Sequence, residues 1–68
     1  MQKNLTPIRR ELLALIARHD RSVQQIILTG QRGEGMLARL RLAGYVELYD
    51  RNSMVRVTAL GRRALANG

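Results

Sequence analysis

The sequence predicts a small α+β fold, mostly α, with three helices, a two-stranded β-hairpin and a short C-terminal helix. Apolar residues recur at helical spacing through the first two-thirds of the chain, alternate strictly on either side of a polar tetrapeptide, and then return to helical spacing. The 68 residues, 46% of them hydrophobic, leave room for one core, so residues 1–68 are expected to form a single domain. Cysteine is absent, which removes disulfides and thiolate metal sites and leaves packing or a partner subunit to hold so short a chain together.

The first helix starts at Thr6-Pro7, a side-chain cap followed by a proline whose missing N–H is harmless in the first turn, and runs to about His19. Ile8, Leu12, Leu15 and Ile16 form its expected core stripe, with Leu13 at the edge. Ser22 to Gln25, "SVQQ", fits a reciprocal cap for a short second helix that carries Val23, Ile26 and Ile27 and ends near Leu28. Gly30 is placed to terminate it in a left-handed conformation. A third helix follows from Gly33 or Glu34 to Ala43, with Met36, Leu37, Leu40 and Ala43 inward, Leu42 outward, and Gly44 closing it.

The period then changes to two. Residues 45–49 (YVELY) and 54–58 (MVRVT) flank "DRNS", so a hairpin with its turn at Asp50–Ser53 sets Val46 against Val57 and Leu48 against Val55 on the buried side. Glu47 then faces Arg56, and Tyr49 faces Met54. Thr58 caps a last helix, Ala59 to Ala66, with Leu60, Ala64 and Leu65 as its apolar stripe. A short helix joined to a third helix by a glycine-containing turn, and then a hairpin, is the order of a helix-turn-helix with a hairpin after it.

Twelve basic residues, eleven of them arginine, oppose five acidic ones, for a net charge of +7. A field of that sign on a small body attracts polyanions, and the guanidinium fork suits phosphates and the guanine edge, so nucleic acid is the expected partner. The longest apolar run, Leu12 to Ala17, is too short to cross a bilayer, and the N-terminus lacks a signal-peptide pattern, which points to the cytoplasm.

The glycine-rich stretch "TGQRGEGM", Thr29 to Met36, lacks both the order of a dinucleotide loop and the lysine and hydroxyl of a P-loop. Its Gly30-Gln31-Arg32-Gly33 resembles the G-x-x-G loop of KH domains, which clamps single-stranded RNA. A compact KH domain opens with a strand, whereas "LTPIRRELLALIARH" has the cap and spacing of a helix.

A longer resemblance covers Leu37 to Leu65. There Gly44-Tyr45-Val46 and Val57-Thr58-Ala59-Leu60-Gly61-Arg62 are similar to the strand start and the "Thr-x-x-Gly-Arg" step of winged helix-turn-helix regulators of the MarR or PadR kind. The resemblance implies a small transcriptional regulator or accessory factor that binds double-stranded DNA sequence-selectively. Its third helix would enter the major groove and its hairpin wing would lie on an adjacent groove. Gln31, Arg32, Glu34 and Arg39 are then the candidates for base or phosphate contact, and Gly35 and Ala38 let the helix approach closely. Arg51, Asn52 and Arg56 would act from the wing, and Ser22 with the amides of the second helix would accept a phosphate. Gly33 and Gly35 depart from the family's helix start, each at a cost of about 1 kcal/mol relative to alanine. The long flanking helices through which full-size MarR proteins dimerise are also missing, although a homodimer on a two-fold operator fits the small size of the module.

His19, the lone histidine, falls on the apolar side of the first helix near its end, where packing and capping suffice to explain it. Neither a metal cluster nor a nucleophile–base set can be assembled, and no cofactor or small-molecule ligand is indicated, so no enzymatic activity is expected. Two alternatives stay open beside DNA binding. One is a KH-like binder of single-stranded RNA. The other is an adaptor or inhibitor of a nucleoprotein complex that docks on protein through Leu42, Tyr45, Tyr49 or Met54.

Overall fold

The computed structural model describes residues 6–28 and 33–67, with Glu34 by its backbone only. Among these the order is α1 (Pro7–Arg18), β1 (Arg21–Ser22), α2 (Val23–Leu28), α3 (Gly33–Leu42), β2 (Val46–Tyr49), β3 (Met54–Val57) and α4 (Ala59–Asn67). The strands form a three-stranded antiparallel sheet in the order β1-β3-β2, with one face packed into the core and the other open to solvent. The expected strand pair is therefore joined by a third strand. Arg21 pairs with Val55 and Ser22 with Met54, a bridge of two residues, too short to leave an alternation in the sequence. The hairpin register is the expected one, Val46 with Val57, Glu47 with Arg56, Leu48 with Val55 and Tyr49 with Met54. The segment that a KH domain would need as its first strand is α1, and that alternative falls with it.

α1 packs on β3, α3 and α4 with a face rotated from the expected stripe, in which Ile16 and Leu12 join the core as expected and Ile8 and Leu15 do not. Leu13 is completely enclosed and Ile16 nearly so, whereas Ile8 is 54% and Leu15 39% exposed. Arg10 explains the rotation. It lies one turn before Leu13 on the buried side, and its guanidinium donates to the carbonyls of Ala64 and Leu65 in the last turn of α4. Its charge thus meets the negative end of a helix. Leu13, Ile16, Leu40 and Val55 form the centre of the core, and Ile26, Leu37, Tyr45, Val46, Val57 and Ala64 complete it. Each of the buried Leu, Ile and Val side chains contributes roughly 1.5–3 kcal/mol by leaving water. In α4 the inward positions are Gly61 and Ala64, and Leu60, expected in the stripe, is largely exposed.

One junction ties three elements together. α3 ends in a Schellman cap: Gly44 takes φ +80, its N–H donates to the Arg41 carbonyl at 2.9 Å, and Tyr45 N–H donates to the Leu40 carbonyl at 3.0 Å. Thr58 closes on the same two residues from the far side. Its hydroxyl donates to the Gly44 carbonyl at 2.6 Å, its N–H donates to the Tyr45 carbonyl at 2.9 Å, and its Oγ1 accepts from Gly61 N–H at 3.1 Å to cap α4. Gly61 sits so near that a Cβ there would lie 2.2 Å from the Tyr45 carbonyl oxygen. The Thr-x-x-Gly spacing is thus a helix cap with a backbone contact built into its first turn.

Gly33 has a similar reason, since a Cβ would stand 2.1 Å from the Ile26 carbonyl oxygen where α3 crosses α2. Gly35 has nothing within 4 Å. Gly33→Ala and Gly61→Ala should each lower the unfolding free energy by about 1–3 kcal/mol, while Gly35→Ala should raise it by up to about 1 kcal/mol. Urea unfolding of the three variants checks this, and a neutral Gly33→Ala would contradict the described crossing of α2 and α3.

Candidate functional site

The outward face of α3 is the first element of the candidate site. Gly35, Ala38 and Leu42, spaced three and four apart, share one side of the helix, and all are exposed, Leu42 to 87%. Arg39 and Arg41 flank this strip and are exposed as well, placed in the last turn where a cation also favours the helix terminus. The result is a low strip of helix surface between two guanidinium groups. Gln31 and Arg32, together with the expected terminator Gly30, lie outside the described residues, as does the side chain of Glu34.

The second element is the β2–β3 turn. Arg51 and Asn52 are exposed at its tip, and Asp50, Arg51 and Asn52 take φ values of 53, 56 and 66 in succession. Asp and Asn tolerate the left-handed region, whereas an arginine there costs roughly 1–2 kcal/mol. The turn is braced from within by the Asp50 carbonyl, which accepts from Ser53 N–H at 3.1 Å and from Ser53 Oγ at 2.6 Å. It is braced from outside by Val23 N–H, which donates to the Ser53 carbonyl at 2.8 Å. Ser22 therefore stands beside this turn, at the junction of β1 and α2.

Ser22 accepts from Gln25 N–H at 3.0 Å, which is one half of the expected reciprocal cap. With the amides of Val23 and Gln25 both bonded inside the protein, the start of α2 serves the fold, and the phosphate cradle expected there loses those two donors. Arg56 is likewise engaged. Its Nε donates to Glu47 Oε1 at 2.7 Å, and its guanidinium lies 5.0 Å from the centre of the Tyr49 ring. Both ion-pair side chains are 51% exposed, so solvent screens the pair and it contributes at most about 1 kcal/mol.

Tyr49 in turn donates its hydroxyl to Asp20 Oδ2 at 2.6 Å, completing a row Asp20–Tyr49–Arg56–Glu47 on the outer face of the sheet. Alternation in the sequence put Tyr49 outward, but nothing in it joined residues 29 apart. The hydrogen bond to Asp20 raises the Tyr49 pKa above the ordinary 10.0, helped by desolvation and the Asp20 charge and opposed by Arg56.

His19 is exposed and serves as the C-cap of α1 through its backbone N–H, which reaches the Leu15 and Ile16 carbonyls, so it does not pack on the apolar side as expected. Among the described residues no three His, Cys, Asp or Glu side chains come together, and no helix is long and apolar enough to cross a membrane. No protein-family model, curated protein or solved structure matches this chain.

Replacing Arg51 by glycine should remove about 1–2 kcal/mol of left-handed strain at the tip, offset by about 0.4–1 kcal/mol from the freer unfolded chain, for a small net stabilisation read as a rise in the urea midpoint. A raised Tyr49 pKa means that the folded state holds this proton more tightly than the unfolded chain. Stability should therefore fall as pH rises from about 10 through the folded pKa of Tyr49. Asp20→Asn should return the ionisation of Tyr49, followed by NMR, toward its ordinary value and remove this part of the alkaline loss.

Proposed function

We propose that the chain is a winged helix-turn-helix module that binds double-stranded DNA sequence-selectively, as a small transcriptional regulator or accessory factor in the cytoplasm. The single observation that carries the reading is the outward face of α3, with Gly35 and Ala38 set low between Arg39 and Arg41. Ten residues of helix are about 15 Å long and fit the major groove, roughly 12 Å wide. Small side chains on the leading face let the helix axis descend, and the flanking guanidinium groups then reach phosphates or guanine edges. Gln31, Arg32 and Glu34, at the leading end, are the further proposed contacts. Arg51 and Asn52 act from the hairpin tip as the wing, with Arg56 in support from within its pair with Glu47. A net charge of +7 supports the same partner through long-range attraction. A homodimer on a two-fold site would double an interface that one such module keeps small.

Docking on protein remains a second reading because Leu42 is 87% exposed on the same helix. Of the anchors proposed for it, Tyr45 is enclosed in the core and is withdrawn, and Tyr49 and Met54 are half-buried.

Fluorescence anisotropy against duplex pools and single-stranded RNA at two salt concentrations separates these readings. Specific duplex binding should fall steeply with salt. Arg39→Ala and Arg32→Ala should each weaken it by about 1–3 kcal/mol. Gly35→Gln should weaken binding without lowering stability. Equal affinity for unrelated duplexes, untouched by these changes, would overturn the proposal.

A further inference from the structure

A groove of about 450 Å³ runs between α1 and α2, walled by Leu12 and Leu15 on one side and Ile26 and Leu28 on the other, with Arg21 and Gln25 as its polar groups. The size is within the range of small-molecule sites, and an apolar lining with few polar groups is their usual chemistry. Leu28 is 75% exposed, so the wall is open to a guest.

Arg21 indicates the kind of guest. It pairs with Val55, whose side chain is enclosed, so Arg21 leaves the sheet on the buried face and lines the groove, an unusual place for a cation. Its Nε–H is shut off from solvent and has no acceptor. A charged donor without an acceptor is a penalty, and because no solvent reaches the Nε, an anionic oxygen in the groove relieves it only as the Arg21 side chain turns toward the groove. Gln25 can add a hydrogen bond at the same end, since both residues line the groove.

We propose that this groove binds a small amphipathic carboxylate of the medium-chain alkanoate class, its carboxylate on the Arg21 guanidinium and its hydrocarbon along Leu12, Leu15, Ile26 and Leu28. Binding rests on this groove alone and does not depend on the DNA reading.

The test is a titration of the full chain with sodium decanoate below its self-association limit, followed by calorimetry and by NMR of the leucine and isoleucine methyls and the Arg21 Nε–H. Decanoate should shift those resonances. Arg21→Gln should weaken binding by roughly ten-fold or more, and decanol should bind more weakly than decanoate. Arg39→Gln, with the same change in charge, should leave binding unaltered. Leu15→Gln, at a position already open to water, should weaken it without loss of fold. Decanol equal to decanoate, decyl phosphate preferred over decanoate, no response at these groups, or shifts at the same methyls with protein concentration alone would each overturn the proposal, the last by making the groove a contact between copies.

Discussion

The backbone of Gly44 and Tyr45 is the point on which the rest of the structure turns. Two consecutive peptide units end α3, start the sheet and receive the cap of α4, through Leu40, Arg41, Thr58 and Gly61. Buried backbone groups must be paired, and here pairing for one element fixes the geometry of the next. Only a left-handed residue at 44 lets Tyr45 N–H turn back to Leu40, and only the absence of a Cβ at 61 lets α4 lie against the Tyr45 carbonyl. The direction in which α3 leaves the core, and so which of its residues face outward, follows from this junction. A second fixed crossing at Gly33 and Ile26 holds the other end of α3.

How far the sequence revealed this depended on how much of each signal was local. The hairpin register was readable because alternation allows only one pairing that satisfies both faces, and the caps at Thr6, Ser22 and Thr58 were readable because each acts over three residues. The rotation of α1 was hidden by Arg10, which looks like surface in a periodicity count and in fact reaches across to the end of α4, 54 residues away. β1 was hidden for a different reason, since two residues carry no period and Ser22 already had a role as a cap. The candidate site was legible to the extent that it lies on regular elements. Arg39 and Arg51 stand exposed on the helix and turn that the sequence assigned to them, while the engagement of Arg56 by Glu47 and Tyr49 needed the folded sheet to become a row rather than a set of isolated side chains.

The glycines separate two kinds of smallness. Gly33 and Gly61 are small for internal reasons, because backbone of a neighbouring segment occupies the space a side chain would need. Gly35 is small with no internal reason, on a helix whose stability it lowers by about 1 kcal/mol relative to alanine. A local choice that opposes the fold without a compensating contact is the pattern expected where an external partner sets the requirement. The proposed approach to a DNA groove supplies such a requirement, and it does so on the one face of α3 that the two fixed crossings leave free.

The arginines divide in the same way, and the division bears on what the charge is for. Arg10 stabilises the end of α4, Arg21 lies under the sheet edge beside the α1–α2 groove, and Arg56 is matched by Glu47 and stacked near Tyr49. These three serve contacts of the fold or its groove, and their removal would be felt as packing before it was felt as charge. Arg39, Arg41 and Arg51 project from the outward helix and the strained turn. A solubilising surface has no need to place an arginine in a left-handed turn, where it costs stability, since charge at any exposed position would serve equally. On the proposed reading, the position of Arg51 adds a second basic contact element to the outward face of α3. It sits at the tip of a hairpin whose base is held by the same junction that orients α3, so the two proposed contact elements are set by one piece of backbone.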